Sequence, residues 1–225
     1  MENVLPAELA ENLIEFCRNR GCVYALLSRC YEKEVDAVFA HEFAAAASLD
    51  SDDPALAQGF AALQRDLDSC DDDEIEQLAV AFNRVFFGMG PRTAQKAFPY
   101  ESVYTSPGGL MMQEAYTQVK LVYRAARFQK NPAFTEPEDH LAVELAFMAR
   151  LCDLAAEALE AGEAEAAEAA LRDQLAFIRE HLLNWIEPFA SDAREAAGGG
   201  FYADLAAFTE AYLKADAAAV AEVVE

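Results

Sequence analysis

The stretch FTEPEDHLAVELAFMARL, Phe134 to Leu151, sets four acids and a histidine at the mouth of an otherwise apolar segment. Leu141, Leu145 and Met148, continued by Cys152 and Ala155, recur at intervals of three and four residues. That spacing lines them along one face of an α-helix and is out of phase with a strand. Thr135 followed by Glu138 has the form of a capping box, and Pro137 suits a first helical turn, so the helix is expected to begin there.

The same period runs outward in both directions. Leu9, Leu13, Phe16, Val23, Leu27 and Cys30 recur at helical spacing, with Pro6 where a first turn tolerates proline. A shorter helix is expected in KEVDAVFAHEFAAAA, residues 33–47, with Val35, Val38, Phe39 and Phe43 on one face. Asp and Ser caps before Pro54 start the next. DDDEIEQLAVAFNRVFFG opens with acids at the positive end of a helix dipole and turns Ile75, Leu78, Phe82, Val85 and Phe86 inward. Residues 88–109, with three prolines and four glycines, read as a long loop, and loops of that length are usually functional or linkers. Helix is expected again from Leu110 to Phe128, and from Gly162 to a stop before Pro188. A flexible Gly198–Gly200 joint leads into a last helix or two. Trp185 is expected in the core. Nothing reads as a strand, so the fold class is all-α.

Composition narrows the function. The chain has 225 residues and a formal net charge of −23. Such a charge repels nucleic acid and anionic membrane surfaces and attracts cationic partners. No apolar run is long enough to cross a bilayer, and MENVLPAELAENLIEFC lacks the basic start of a signal peptide. Five cysteines without a C-x-x-C suit reduced thiols in a cytoplasm.

The acids around His140 admit several readings. Carboxylates in a first turn are stabilised by the helix dipole, which makes them a cap. His140 and Glu144 lie one turn apart, as metal ligands can, but no HExxH or ExxH pair accompanies them, and His41 and His181 have no partner at ligand spacing; no metal and no cofactor is expected. His140 with Asp139 or Glu144 could work as an acid–base pair in a helical enzyme, although no nucleophile elbow or phosphate loop is present. Carboxylates beside a loop bearing Phe98, Tyr100 and Tyr104 could instead hold a cationic, partly apolar peptide.

Five motifs resemble, in order, those of the TorD/DmsD family: FNRVFFG (82–88), PYESVY (99–104), EPEDHLAVELAFMARL (136–151), HLLNWIEPF (181–189) and FYADLAAF (201–208), with YALLSRCYEKE (24–34) similar to its first-helix signature. The resemblance implies an all-helical cytoplasmic chaperone of molybdenum-containing oxidoreductases. Such a chaperone binds the catalytic subunit or its twin-arginine leader and delays export until the cofactor is inserted. It implies leader or client contacts at Phe82, Val85, Phe86, Pro99, Tyr100, Ser102, Tyr104, Asp139 and His140, and the charge reading adds the carboxylates Glu136 and Glu138 as contacts for a basic segment. Relatives commonly carry tryptophan where Phe82, Tyr100 and Tyr104 stand, a departure that keeps aromaticity and changes pocket shape. It further implies one domain over residues 1–225, with lobes 1–107 and 108–225 joined by the Gly/Pro-rich loop, acting as a monomer or a domain-swapped homodimer. On this reading the carboxylates and His140 are exposed and face a groove.

Overall fold

The computed structural model describes residues 6–49, 51, 53–89 and 96–225. Their regular structure is helical: α1 (Ala7–Glu32), α2 (Ala37–Ala44), α3 (Pro54–Leu67), α4 (Asp72–Phe86), α5 (Glu101–Thr105), α6 (Glu114–Ala125), α7 (Leu141–Glu160), α8 (Ala164–Phe177), a π turn (Ile178–Leu182), α9 (Ile186–Ala197) and α10 (Phe201–Val224). One isolated antiparallel bridge, Tyr100 to His140, is the β-type pairing among the described residues. The fold is all-α, as the periodicity requires.

Local chemistry explains most helix ends. Asp53 caps α3 by accepting from the Ala55 amide, with Pro54 in the first turn. Asp71 and Glu74 form a reciprocal capping box on α4, which satisfies two otherwise orphaned donors. Gly198 ends α9 in the left-handed region (φ 74°), where a Cβ would be strained.

Five expectations are corrected by the structure. Helix does not resume at Leu110: residues 110–113 are irregular, with Met112 at φ 57°, and α6 begins at Glu114. The Thr135–Glu138 capping box does not form; α7 starts six residues after Thr135, with His140 as its N-cap. The helix expected to stop before Pro188 breaks earlier, through the π turn, and Pro188 falls in the first turn of α9, where its missing N–H is no loss. Val38 is 68% exposed, and Ala40 and Phe43 make the buried side of α2 instead. Within the loop expected at 88–109, residues 101–105 form α5, and 90–95 lie outside the described residues.

The chain divides into two units that interleave in sequence. The first unit comprises Met1–Glu32, Tyr100–Asn184 and Asp216–Glu225. Here α1 packs along α7. Gly21 permits the approach: a Cβ on it would already stand 3.4 Å from that of Cys152. Ser28 donates to the Ala142 carbonyl at 2.7 Å. Tyr24, Leu27, Leu141, Leu145, Phe147 and Met148 are sealed from solvent. The second unit comprises Lys33–Pro99 and Trp185–Ala215. Its core is aromatic: Phe86 contacts Phe82, Phe189 and Tyr202 within 6.2 Å, and Trp185 is fully buried against Phe189.

One charged network lies inside the first unit. Arg20 donates from Nε and Nη2 to the two oxygens of Asp216 at 2.5 and 2.9 Å, and from Nη1 to Gln174 at 2.6 Å. Tyr24 donates to the same carboxylate at 2.5 Å. The pair is buried, and a bidentate fork is the geometry that offsets the desolvation of two such charges. Asp216→Ala strands the guanidinium, and urea unfolding is expected to show a loss of about 3–5 kcal/mol. A loss under about 1 kcal/mol would mean that Arg20 reaches solvent.

Candidate functional site

The site is built where α5 meets the start of α7. α5 has only five residues, and its N-cap, Tyr100, offers no side-chain cap. The orphan amides are satisfied from outside by Asp139. Glu101 N–H donates to the Asp139 carbonyl at 2.9 Å, and Ser102 N–H donates to Asp139 Oδ2 at 3.1 Å. Ser102 Oγ in turn accepts from the Gln113 amide at 3.0 Å, the residue that opens α6. A chain of three hydrogen bonds therefore joins the Asp139 backbone and carboxylate to both ends of the 101–113 segment.

Glu101 is a second fastening. It is 1% exposed, faces His181 Nδ1 across 3.1 Å through Oε2, and accepts from Asn184 Nδ2 at 2.9 Å through Oε1. The π turn carries His181 to this position. Spacing could not reveal the pair, because its partners are 80 residues apart. The residues stand within the quoted PYESVY and HLLNWIEPF motifs, which was the available signal.

His140 caps α7 by accepting the Ala142 amide on Nδ1 at 3.1 Å. Its ring lies edge-on to Tyr100 and Phe134, each with centroids 5.0 Å away. Tyr100 donates its hydroxyl to Glu136 at 2.5 Å, and burial, followed by that carboxylate, raises its pKa. Lys130 donates to the Glu136 carbonyl, and Tyr123 to that of Glu138 at 3.2 Å.

The expected exposure of the acids and histidine is corrected by this packing. Asp139, His140 and Glu144 are each 0% exposed, whereas Tyr104, Glu136 and Glu138 are half-buried. Tyr100 and Ser102 are buried. In the other unit Phe82, Val85, Phe86 and Pro99 are also buried. Close by Ser102, Leu110, Met111 and Met112 form an exposed apolar run, 41–60% accessible, that sequence reasoning placed inside a helix.

This geometry suits holding and presenting a surface better than proton transfer. Burial, and after it the charge of Lys130, lowers the His140 pKa from 6.5 to about 3. A ring so placed is a poor base near neutrality, and its Nδ1 is already engaged, which removes the ground for an enzyme using His140 with Asp139 or Glu144. Among the described residues no group of three His, Cys, Asp or Glu side chains is placed to hold a metal ion.

The depressed imidazole has a pH signature. Unfolded chains protonate this ring near 6.5 while the folded one resists until about 3. Its contribution to stability is therefore intact above 6.5 and lost as the pH falls toward 3. Asp139 acts in the opposite sense: burial raises its carboxyl against the lowering hydrogen bonds of Ser102, so a cost of ionisation is relieved as the pH falls. From pH 6.5 to 5 the parent is expected to lose up to about 2 kcal/mol more than His140→Asn, which still caps and cannot titrate. Equal losses in denaturant melts would contradict the burial.

Comparison with known proteins gives the geometry its setting. Residues 49–191 match the family described as nitrate reductase delta subunit. A chaperone protein TorD from Photobacterium profundum is 31% identical over 166 residues, covering 73% of this chain and 74% of that protein. A chaperone protein TorD from Shewanella pealeana is 28% identical, covering 88% of both chains. One from Vibrio cholerae is 32% identical over 57% of each. These relatives are chaperones and not enzymes. From the extent of these matches and the all-helical architecture, the chain belongs to the TorD/DmsD family of molybdoenzyme maturation chaperones.

Proposed function

We propose that this chaperone works in the cytoplasm, binding the catalytic subunit of a molybdenum oxidoreductase, through its twin-arginine leader, and delaying export until the cofactor is in place. The observation that carries the reading is the double hold of Asp139 on α5. It fixes a turn that bears Tyr100, Ser102 and Tyr104 and leads into exposed Leu110, Met111 and Met112. A leader has a basic start followed by an apolar stretch. The basic part is attracted by a chain of charge −23 and meets Glu136 and Glu138, half-buried beside Tyr100. The apolar part suits a methionine-rich surface, which adapts to varied side chains. Asp139 and His140 hold the turn, and Phe82, Val85, Phe86 and Pro99 belong to the proposed set of leader or client contacts.

Lobes 1–107 and 108–225, and a state that is either a monomer or a domain-swapped homodimer, belong to the same proposal, and the mass of the peptide complex in solution decides between monomer and dimer. No helix among the described residues is long and apolar enough to cross a membrane.

Calorimetry with a synthetic leader bearing two adjacent arginines tests the reading. Binding is expected to weaken with added salt, since screening shortens to about 8 Å at physiological ionic strength, and to weaken when both arginines become glutamine. Identical affinity for the two peptides would exclude recognition by charge.

A further inference from the structure

The start of α7 carries two polar atoms that the packing leaves without a hydrogen bond. His140 Nε2 and Asp139 Oδ1 are buried and have no partner among the described residues, although both residues are 0% exposed. Their chemical roles are fixed by their neighbours. Nδ1 of His140 accepts from the Ala142 amide, so in the neutral ring the proton sits on Nε2. Burial holds the ring neutral, with a pKa of about 3. Nε2–H is therefore a donor lacking an acceptor. Asp139 Oδ2 takes the Ser102 amide, which leaves Oδ1 an acceptor lacking a donor.

We propose that His140 and Asp139 read the main chain of the bound client segment, with His140 Nε2–H donating to a peptide carbonyl and Asp139 Oδ1 accepting a peptide N–H. This rests on the reading that a client peptide binds at the α5–α7 junction. A guanidinium has five donors and no acceptor, so an arginine side chain cannot satisfy Nε2–H. A peptide unit presents one acceptor and one donor, the complement of the pair. Recognition through the main chain tolerates varied side chains along the apolar part of the segment, while Glu136 and Glu138 meet the arginines. Entry is from the side of Phe134, which covers the His140 ring edge-on, is half-buried, and belongs to the irregular stretch 128–139.

The test uses the full chain and a synthetic peptide with two adjacent arginines followed by an apolar segment, in which each backbone amide is replaced in turn by an ester. The ester removes one N–H and weakens one carbonyl acceptor. At one or two adjacent positions the parent is expected to bind roughly threefold to tenfold more weakly, the size of one hydrogen bond. His140→Thr, which still caps α7 through its hydroxyl, is expected to lose that sensitivity at the carbonyl position. In parallel, the His140 Nε2–H resonance of the parent is expected to shift and to exchange more slowly on saturation with the all-amide peptide. Ester effects that are the same in parent and variant, or a resonance unmoved by bound peptide, overturn the assignment. A parent that binds no all-amide peptide overturns the functional reading, and the assignment with it.

Discussion

Everything at the candidate site depends on one aspartate. α5 is too short to persist alone, since a helix of five residues has fixed its dihedrals for almost no internal hydrogen bonds. Asp139 supplies what it lacks, accepting the Glu101 amide on its carbonyl and the Ser102 amide on its carboxylate. Ser102 passes the constraint to Gln113 and so to the start of α6. Glu101, gripped by His181 and Asn184, holds the same turn from the other side. The motif that resembles a charged binding patch in sequence is thus, in three dimensions, a buried fastening around which a surface is arranged.

The fastening accounts for the electrostatics. Several carboxyl groups converge near Tyr123: its pKa is raised first by burial and then by Glu144, Glu101, Asp139 and Glu138. Of these, Glu144, Glu101 and Asp139 are sealed from solvent and are poor long-range attractors, and Glu101 and Asp139 are engaged by amide or side-chain donors. The attraction of a basic segment falls instead to the half-buried Glu136 and Glu138 and to the overall charge of −23.

Sequence made the helical class plain, because period and local caps act over a few residues. Leu141, Leu145, Met148, Cys152 and Ala155 are all buried as their spacing required, and Asp53 and Asp71 cap as written. It misplaced the start of α7 because Thr135 and Glu138 match a local template, while the true N-cap, His140, is fixed by partners far along the chain. The same holds for Glu101 and His181: their contact exists only once a π turn has redirected the end of α8. Residue types at the site were legible, and their burial was not, since nothing in EPEDH itself says that Ser102 and Tyr100 will close over it.

The central claim is that Asp139 is a fastener holding residues 101–113 in place. Residue-resolved amide hydrogen exchange on the parent chain and on Asp139→Ala tests it most directly. The account predicts slow exchange at Glu101, Ser102 and Gln113 in the parent, and a joint loss of protection at all three in the variant while the Leu145 and Met148 amides of α7 stay protected. Rapid exchange at these amides in the parent, or unchanged protection in the variant, would contradict it.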